Sequence, residues 1–220
     1  MITTLMGALQ SFLAFMQKGG FVLWPLLLLS ILSLGITAER IVFWGRMAGG
    51  AARARVSKLV DALRKGRREE VARLCEGSAQ PEMMVALRML LDGANDGVAM
   101  AAAEIQRHRL ERFSVVLSTI ITASPMIGIL GTVIGIIKSF NVLGAQSQLA
   151  DPRGVSGGIG EALITTATGL AVALVTLFPY MSFKGLADRA MGRMESVIAA
   201  AQTGLPAKPE RIDQAESVTA

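Results

Sequence analysis

The sequence predicts an all-α integral membrane protein with three transmembrane helices, long cytoplasmic helical extensions of the second and third, and a small cytoplasmic helical bundle. Three observations predict it. Hydrophobic residues fill 52% of the 220 positions and charged residues only 18%, against about 45–50% and about 25% in soluble domains. Charged residues are absent from Phe21 to Ala38, from Phe113 to Ile137 and from Ala162 to Phe183, runs of 18, 25 and 22 residues. At about 1.5 Å per helical residue each run matches a hydrocarbon layer of about 30 Å, and so short a chain has too few other residues to bury three such helices in a soluble core. Finally, the stretch from Trp44 to Arg112 holds 13 Lys and Arg and the tail from Lys184 onward holds five, whereas the loop from Ser139 to Gly160 has only Arg153 and the amino end to Gly19 only Lys18. By the positive-inside rule the amino terminus faces outward and the carboxyl terminus is cytoplasmic. The net charge of +5 therefore reads as topology, with the lipid bilayer and not nucleic acid as the partner surface.

The elements follow in order. Residues 1–19 place Leu5, Leu9, Phe12, Leu13 and Met16 at helical spacing, as in an amphipathic helix at the outer interface. No positive charge precedes the apolar run in Met1 to Gln17, so the first crossing, 20–43, reads as a retained helix and not a cleaved signal. It ends at Glu39, Arg40 and Trp44, a charged and aromatic border that reads as a solvated helix end. The cytoplasmic segment 44–97 divides at Gly66, at Gly77 to Pro81 and at Gly93 to Gly97, giving helices over Ala51 to Lys65, Arg68 to Cys75 and Pro81 to Leu91. Over 98–143 one helix is expected from Val98 through Arg112 straight into the second crossing, because nothing between them breaks it. A short periplasmic loop, 144–158, leads to the third crossing, 159–203, which continues through Lys184, Asp188, Arg189, Arg193 and Glu195. The two rods would wall a cytoplasmic vestibule, and 204–220 reads as a disordered polar tail. The single cysteine, Cys75, has no partner for an internal disulfide.

Enzyme chemistry is not expected. No cluster of His, Cys or carboxylates has metal-ligand spacing, so neither metal nor cofactor is assigned, and His108 lies among Arg107, Arg109 and Glu111 as a surface residue. The run from Gly131 to Ser139 lacks the glycine that a phosphate-binding loop needs before Lys138. The second crossing instead carries Ser124, Gly128, Gly131, Thr132 and Gly135 at spacings of three and four, a stripe of small residues suited to close packing. Pro125 within it cannot donate to the Ile121 carbonyl, which bends the helix or frees an acceptor. The third crossing repeats the stripe with Ala162, Thr166, Gly169, Ala173 and Thr176, and adds Thr165, Thr168 and Glu161. Two readings stand side by side: hydroxyls that pack, or hydroxyls that line a narrow polar path. Glu161 likewise either caps a helix start or faces a cavity. Stripes of this polarity need protein or water beside them, so an obligate homo-oligomer is expected.

Two runs, Ala123-Ser-Pro-Met-Ile-Gly-Ile-Leu-Gly-Thr-Val-Ile-Gly and Gly160-Glu-Ala-Leu-Ile-Thr-Thr-Ala-Thr-Gly-Leu, resemble the MotA/TolQ/ExbB proton channel family. The likeness covers all three crossings and is nearest to ExbB and TolQ, since MotA-type subunits have a fourth crossing. It implies a pentamer of this subunit around the membrane helices of a dimeric, single-pass ExbD- or TolR-like partner that brings the titrating aspartate. A TonB- or TolA-like periplasm-spanning protein would then receive the force, energising outer-membrane transport or envelope maintenance. The resemblance further implies a bacterial inner membrane with a periplasmic amino terminus, and that Thr132, Glu161 and Thr166 lie on the proton pathway; the hydroxyls of the third crossing add Thr165 and Thr168 as further lining residues. Ser124, Pro125, Gly128, Gly131, Gly135, Gly169 and Pro179 are assigned to packing and kinks. One departure stands out: the family's proline in the third crossing falls at Val175, and Pro179 lies one turn later. A structural scaffold without proton flux, a small-solute transporter and a gliding-type motor subunit remain the alternatives. The transporter is disfavoured, because the crossings contain no internal repeat and almost no charge.

Overall fold

The computed structural model describes residues 6, 7, 10, 16, 19–47, 50–145 and 152–207, without the side chains of 50–53, 143, 145 and 152–155. Leu5, Leu9, Phe12 and Leu13 of the expected interfacial helix, residues 146–151 of the expected loop and 208–220 of the expected tail lie outside the described residues. Among the described residues there are no strands, and the helices are α1 Leu23–Met47, α2 Gly50–Arg64, α3 Arg68–Cys75, α4 Pro81–Asp92, α5 Asp96–Leu110, α6 Ser114–Ala145 and α7 Pro152–Gly204. Three of them contain stretches long and apolar enough to cross a membrane: Leu23–Met47, Ser114–Val142 and Ser156–Gly204.

The chain forms two compact units, one from Met1–Arg40 with Phe113–Ser182 and one from Ile41–Arg112 with Phe183–Ala220. In the first unit Leu23 and Leu26 of α1 are buried against Ile127 of α6 and Ile164 of α7. The outward surfaces stay apolar: Leu28, Ile31, Val115, Met126, Phe140, Leu163 and Phe178 are all exposed. Water would penalise so large an apolar surface, whereas lipid does not.

The second unit is the expected bundle. The dividing glycines Gly66, Gly77 and Gly93 take φ of 66°, 66° and 98°, a left-handed backbone that costs glycine nothing. Leu59 and Leu63 of α2, Val71 of α3, Met83, Ala86 and Met89 of α4 and Ala99 and Ala102 of α5 form one core with the end of α7. The α7 residues are Ala187, Ala190, Met194, Val197 and Ala201, an apolar seam at spacings of three and four. So the extension of the third crossing is a member of the bundle, not a free rod. The buried Glu82 carboxylate accepts from Arg193, and Asn95 caps α5 by accepting from the Val98 N–H at 2.9 Å while donating to the Ala207 carbonyl at 3.2 Å. Burial pushes the Cys75 thiol up to about 11, which keeps it protonated and unreactive at neutral pH.

Two expectations change. The single rod from Val98 into the second crossing is two helices: α5 closes at Glu111, whose N–H donates to the Arg107 carbonyl, and Phe113 takes φ of 67° before α6 begins. A left-handed phenylalanine costs roughly 1–2 kcal/mol. The Arg40 guanidinium, 5.5 Å from the Phe113 ring centroid, offsets about 0.5–2 kcal/mol of it. Arg40 is accordingly no solvated helix end: it is 2% exposed and stands 3.0 Å from Glu39 Oε2. No glycine or proline announces this break, because a tertiary contact holds it.

Candidate functional site

Helices α6 and α7 pack antiparallel, with each step forward on α6 matched by a step back on α7. A Cβ added to Gly169 would lie 2.5 Å from the Ser124 carbonyl oxygen and 3.1 Å from the Gly128 Cα; one at Gly128 would lie 3.1 Å from the Thr166 Cα. One turn on, a Cβ at Gly131 would overlap the Thr165 side chain, and one at Gly135 would lie 2.6 Å from the Gly158 carbonyl and 2.8 Å from the Ala162 Cβ. The glycines are therefore spacers that let two backbones touch. The glycine positions of the two stripes cover one another within a single chain, while Thr132 and Thr166 stay half-exposed at the edge of the contact. The close approach at the glycines is thus an intrachain contact, and it is the half-exposed hydroxyls that need protein or water beside them.

The hydroxyls sort by what they bond. Ser124, buried, donates to the Ile120 carbonyl at 2.7 Å, and Thr176, also buried, to Val172 at 2.8 Å. Thr165 is fully buried against Gly131 and donates to Ala162 at 2.8 Å; its place is packing inside the helix pair, and it faces no open space. Thr168 is half-buried and donates to Ile164 at 2.7 Å. Thr132, half-buried, donates to the Ile129 carbonyl. All of these bonds stay within one helix, as hydroxyls in apolar helices commonly do. Thr166 differs: its hydroxyl donates across to the Gly128 carbonyl of α6 at 2.9 Å. In a regular helix that carbonyl also accepts the Thr132 N–H four residues on, so the two threonines expected on the pathway share one backbone acceptor. Pro125 and Pro179 lie inside helices that run through them.

Glu161 is not a cap, because α7 begins at Pro152, nine residues earlier. Its carboxylate is 18% exposed and accepts from Lys138 Nζ of α6 at 2.7 Å. In the sequence Lys138 follows a charge-free run and fails as the lysine of a phosphate-binding loop, and neither reading pairs it with Glu161. Aligning the two stripes as antiparallel neighbours would have brought it opposite Glu161. Outside this region His108 is 81% exposed beside Glu104, 3.4 Å away.

This arrangement defines a class: a three-crossing α-helical membrane subunit whose second and third crossings close through glycines and hold threonine hydroxyls and an ion-paired carboxylate between them. The chain belongs to the MotA/TolQ/ExbB proton channel family, whose family model matches residues 59–196. It is 34% identical over 180 residues to the ExbB-like biopolymer transport protein 3 of Synechocystis sp., across 77% of this chain and 83% of that one. To the biopolymer transport protein exbB1 of Vibrio cholerae it is 27% identical over 198 residues, 86% of each chain. A shorter match, 38% over 105 residues, joins it to the Tol-Pal system protein TolQ of Pseudomonas aeruginosa, across 46% of this chain and 45% of that one. It is a membrane subunit of the ExbB/TolQ type.

Proposed function

We propose that this chain is the channel and scaffold subunit of an inner-membrane motor that turns the proton gradient into force on periplasmic or outer-membrane components. Five copies would enclose the single membrane helices of a dimeric ExbD- or TolR-like partner, and a TonB- or TolA-like protein would carry the force outward. The observation that supports this most is the Thr166 hydroxyl bonded across the helix pair to the Gly128 carbonyl. A hydroxyl has one donor and two acceptor lone pairs. With the Thr166 and Thr132 donors engaged by Gly128 and Ile129, these residues offer a partner acceptor lone pairs. Lone pairs suit a protonated carboxyl, which donates, better than a carboxylate, which only accepts. The hydroxyls thus favour the neutral form of the partner's aspartate in this state, and turning them to donate favours the ionised form. Glu161 and Thr168 complete the pathway in this reading.

Reconstituting the full chain with a single-pass ExbD- or TolR-like partner is expected to give proton uptake into liposomes that neither protein gives alone. A complex that assembles fully yet carries no protons would leave the structural-scaffold reading in its place.

The proposed orientation has the amino terminus periplasmic and the carboxyl terminus cytoplasmic, carried by the charge asymmetry. In a Cys75→Ser background, cysteines introduced by Ser147→Cys and Ser217→Cys report it. An impermeant thiol reagent added to intact spheroplasts is expected to label position 147 and spare position 217, and the opposite pattern would invert the topology.

A further inference from the structure

The pathway above leaves one charged contact without a role. Lys138 Nζ donates to Glu161 Oε1 at 2.7 Å across the α6–α7 pair, a short charge-assisted bond. The acid is the enclosed member, at 18% exposure against 52% for the lysine. Gly20, at φ of 64°, lays its backbone over the carboxylate so closely that an added Cβ would overlap Glu161 Oε1. Its neighbours along α7 are Gly158, Gly160, Ala162 and Thr165, and the Thr165 hydroxyl donates to Ala162 instead. Among the described residues, Lys138 from α6 is the charged side chain that meets it.

A carboxylate enclosed in an apolar span calls for a cation. Solution can supply one, since oxygen ligands are what hard cations such as sodium take. The chain can also supply one, as an ammonium on a flexible stem. We propose that Lys138 is a specificity-determining residue, a tethered cation occupying the position beside Glu161 that an alkali-metal ion would otherwise fill. The subunit carries its own counter-ion there, and the pathway at Glu161 is closed to sodium. What this selectivity serves rests on the proton-channel reading, but occupancy of the position is a property of the subunit itself.

The test uses the purified full-length protein, with sodium as the probe. Thermal unfolding is measured in choline chloride and in sodium chloride at equal ionic strength, and sodium binding is read as broadening of the sodium-23 resonance. Wild type and Lys138→Arg are expected to melt alike in both salts and to leave the resonance sharp. Lys138→Met and Lys138→Gln are expected to melt lower in choline and to regain several degrees at about 0.1 M sodium, as a ligand that binds the folded form requires, with the resonance broadened. Adding Glu161→Gln to Lys138→Met should abolish both responses and also relieve the unpaired charge, which guards against a variant that merely misfolds. The proposal is overturned if the Met and Gln variants ignore sodium, if the double variant still responds, or if the wild type binds sodium as they do. A wild type without partner-dependent proton flux would sink the proton-channel reading and leave this result standing.

Discussion

Replacing Thr166 by valine is expected to lower partner-dependent proton flux about 10- to 100-fold while the complex assembles at near wild-type abundance. Two magnitudes separate these effects. In the helix pair the Thr166 hydroxyl contributes one interhelical bond to Gly128, and such bonds in membrane proteins average only about 0.6 kcal/mol. The Gly128 carbonyl keeps the Thr132 N–H as a helix partner, so no buried acceptor is orphaned. Beside an ionising carboxyl the same hydroxyl contributes roughly 1.5–3 kcal/mol, the factor of about 10–100 stated. Thr166→Ser keeps the hydroxyl and is expected to restore most of the flux. Thr132→Val should act in the same direction, and the double variant should add little if both hydroxyls serve one carboxyl. Flux measured in liposomes against complex abundance decides it: Thr166→Val, Thr132→Val and the double variant all conducting like wild type would reduce both threonines to packing.

Alanine at Gly169 is expected to have the opposite signature, a subunit that fails to hold together before any question of conduction arises. Its Cβ would lie 2.5 Å from the Ser124 carbonyl oxygen and 3.1 Å from the Gly128 Cα, and backbone on both sides cannot rotate away as a side chain would. The helices must separate, which strains Thr166 against Gly128 and Thr165 against Gly131 together. Overpacking of this kind typically costs about 1–3 kcal/mol, and here the lost contacts along the pair add to it. Gly192→Ala is the control: nothing lies within 4 Å of a Cβ there, and alanine favours a helix by up to about 1 kcal/mol over glycine. Thermal unfolding should show Gly169→Ala melting well below wild type and Gly192→Ala at or above it. Equal melting of the two variants would refute the close approach of α6 and α7.

Much of the fold was legible because its causes are local. Charge-free runs report membrane crossings directly, since each charge carries its cost wherever the rest of the chain goes. The bundle's divisions were legible for a similar reason: Gly66, Gly77 and Gly93 adopt backbone angles that other residues take reluctantly. The break at Phe113 was not, because a phenylalanine adopts φ of 67° only where something outside the local chain holds it, here the Arg40 guanidinium. Nor was the register at which α7 begins, nine residues before Glu161, since glycines at 157 and 158 read locally as a loop. The helix nevertheless runs through them, and Gly158 lets it lie against Gly135 and Ser139.

By itself, then, the sequence determined that this chain crosses a membrane three times, where the charged bundle divides, and which small and hydroxyl residues share a helical side. These are properties of composition and period, which need no knowledge of neighbours. The tertiary structure alone decided which hydroxyls are spent inside the helix pair, as for Thr165, and which bridges it, as for Thr166. It also decided that Glu161 meets Lys138, a residue 23 positions away. Residues on one helical side are candidates for one surface, but whether that surface meets lipid, a second copy or its own chain depends on the register between helices, and register is set by where two backbones can approach.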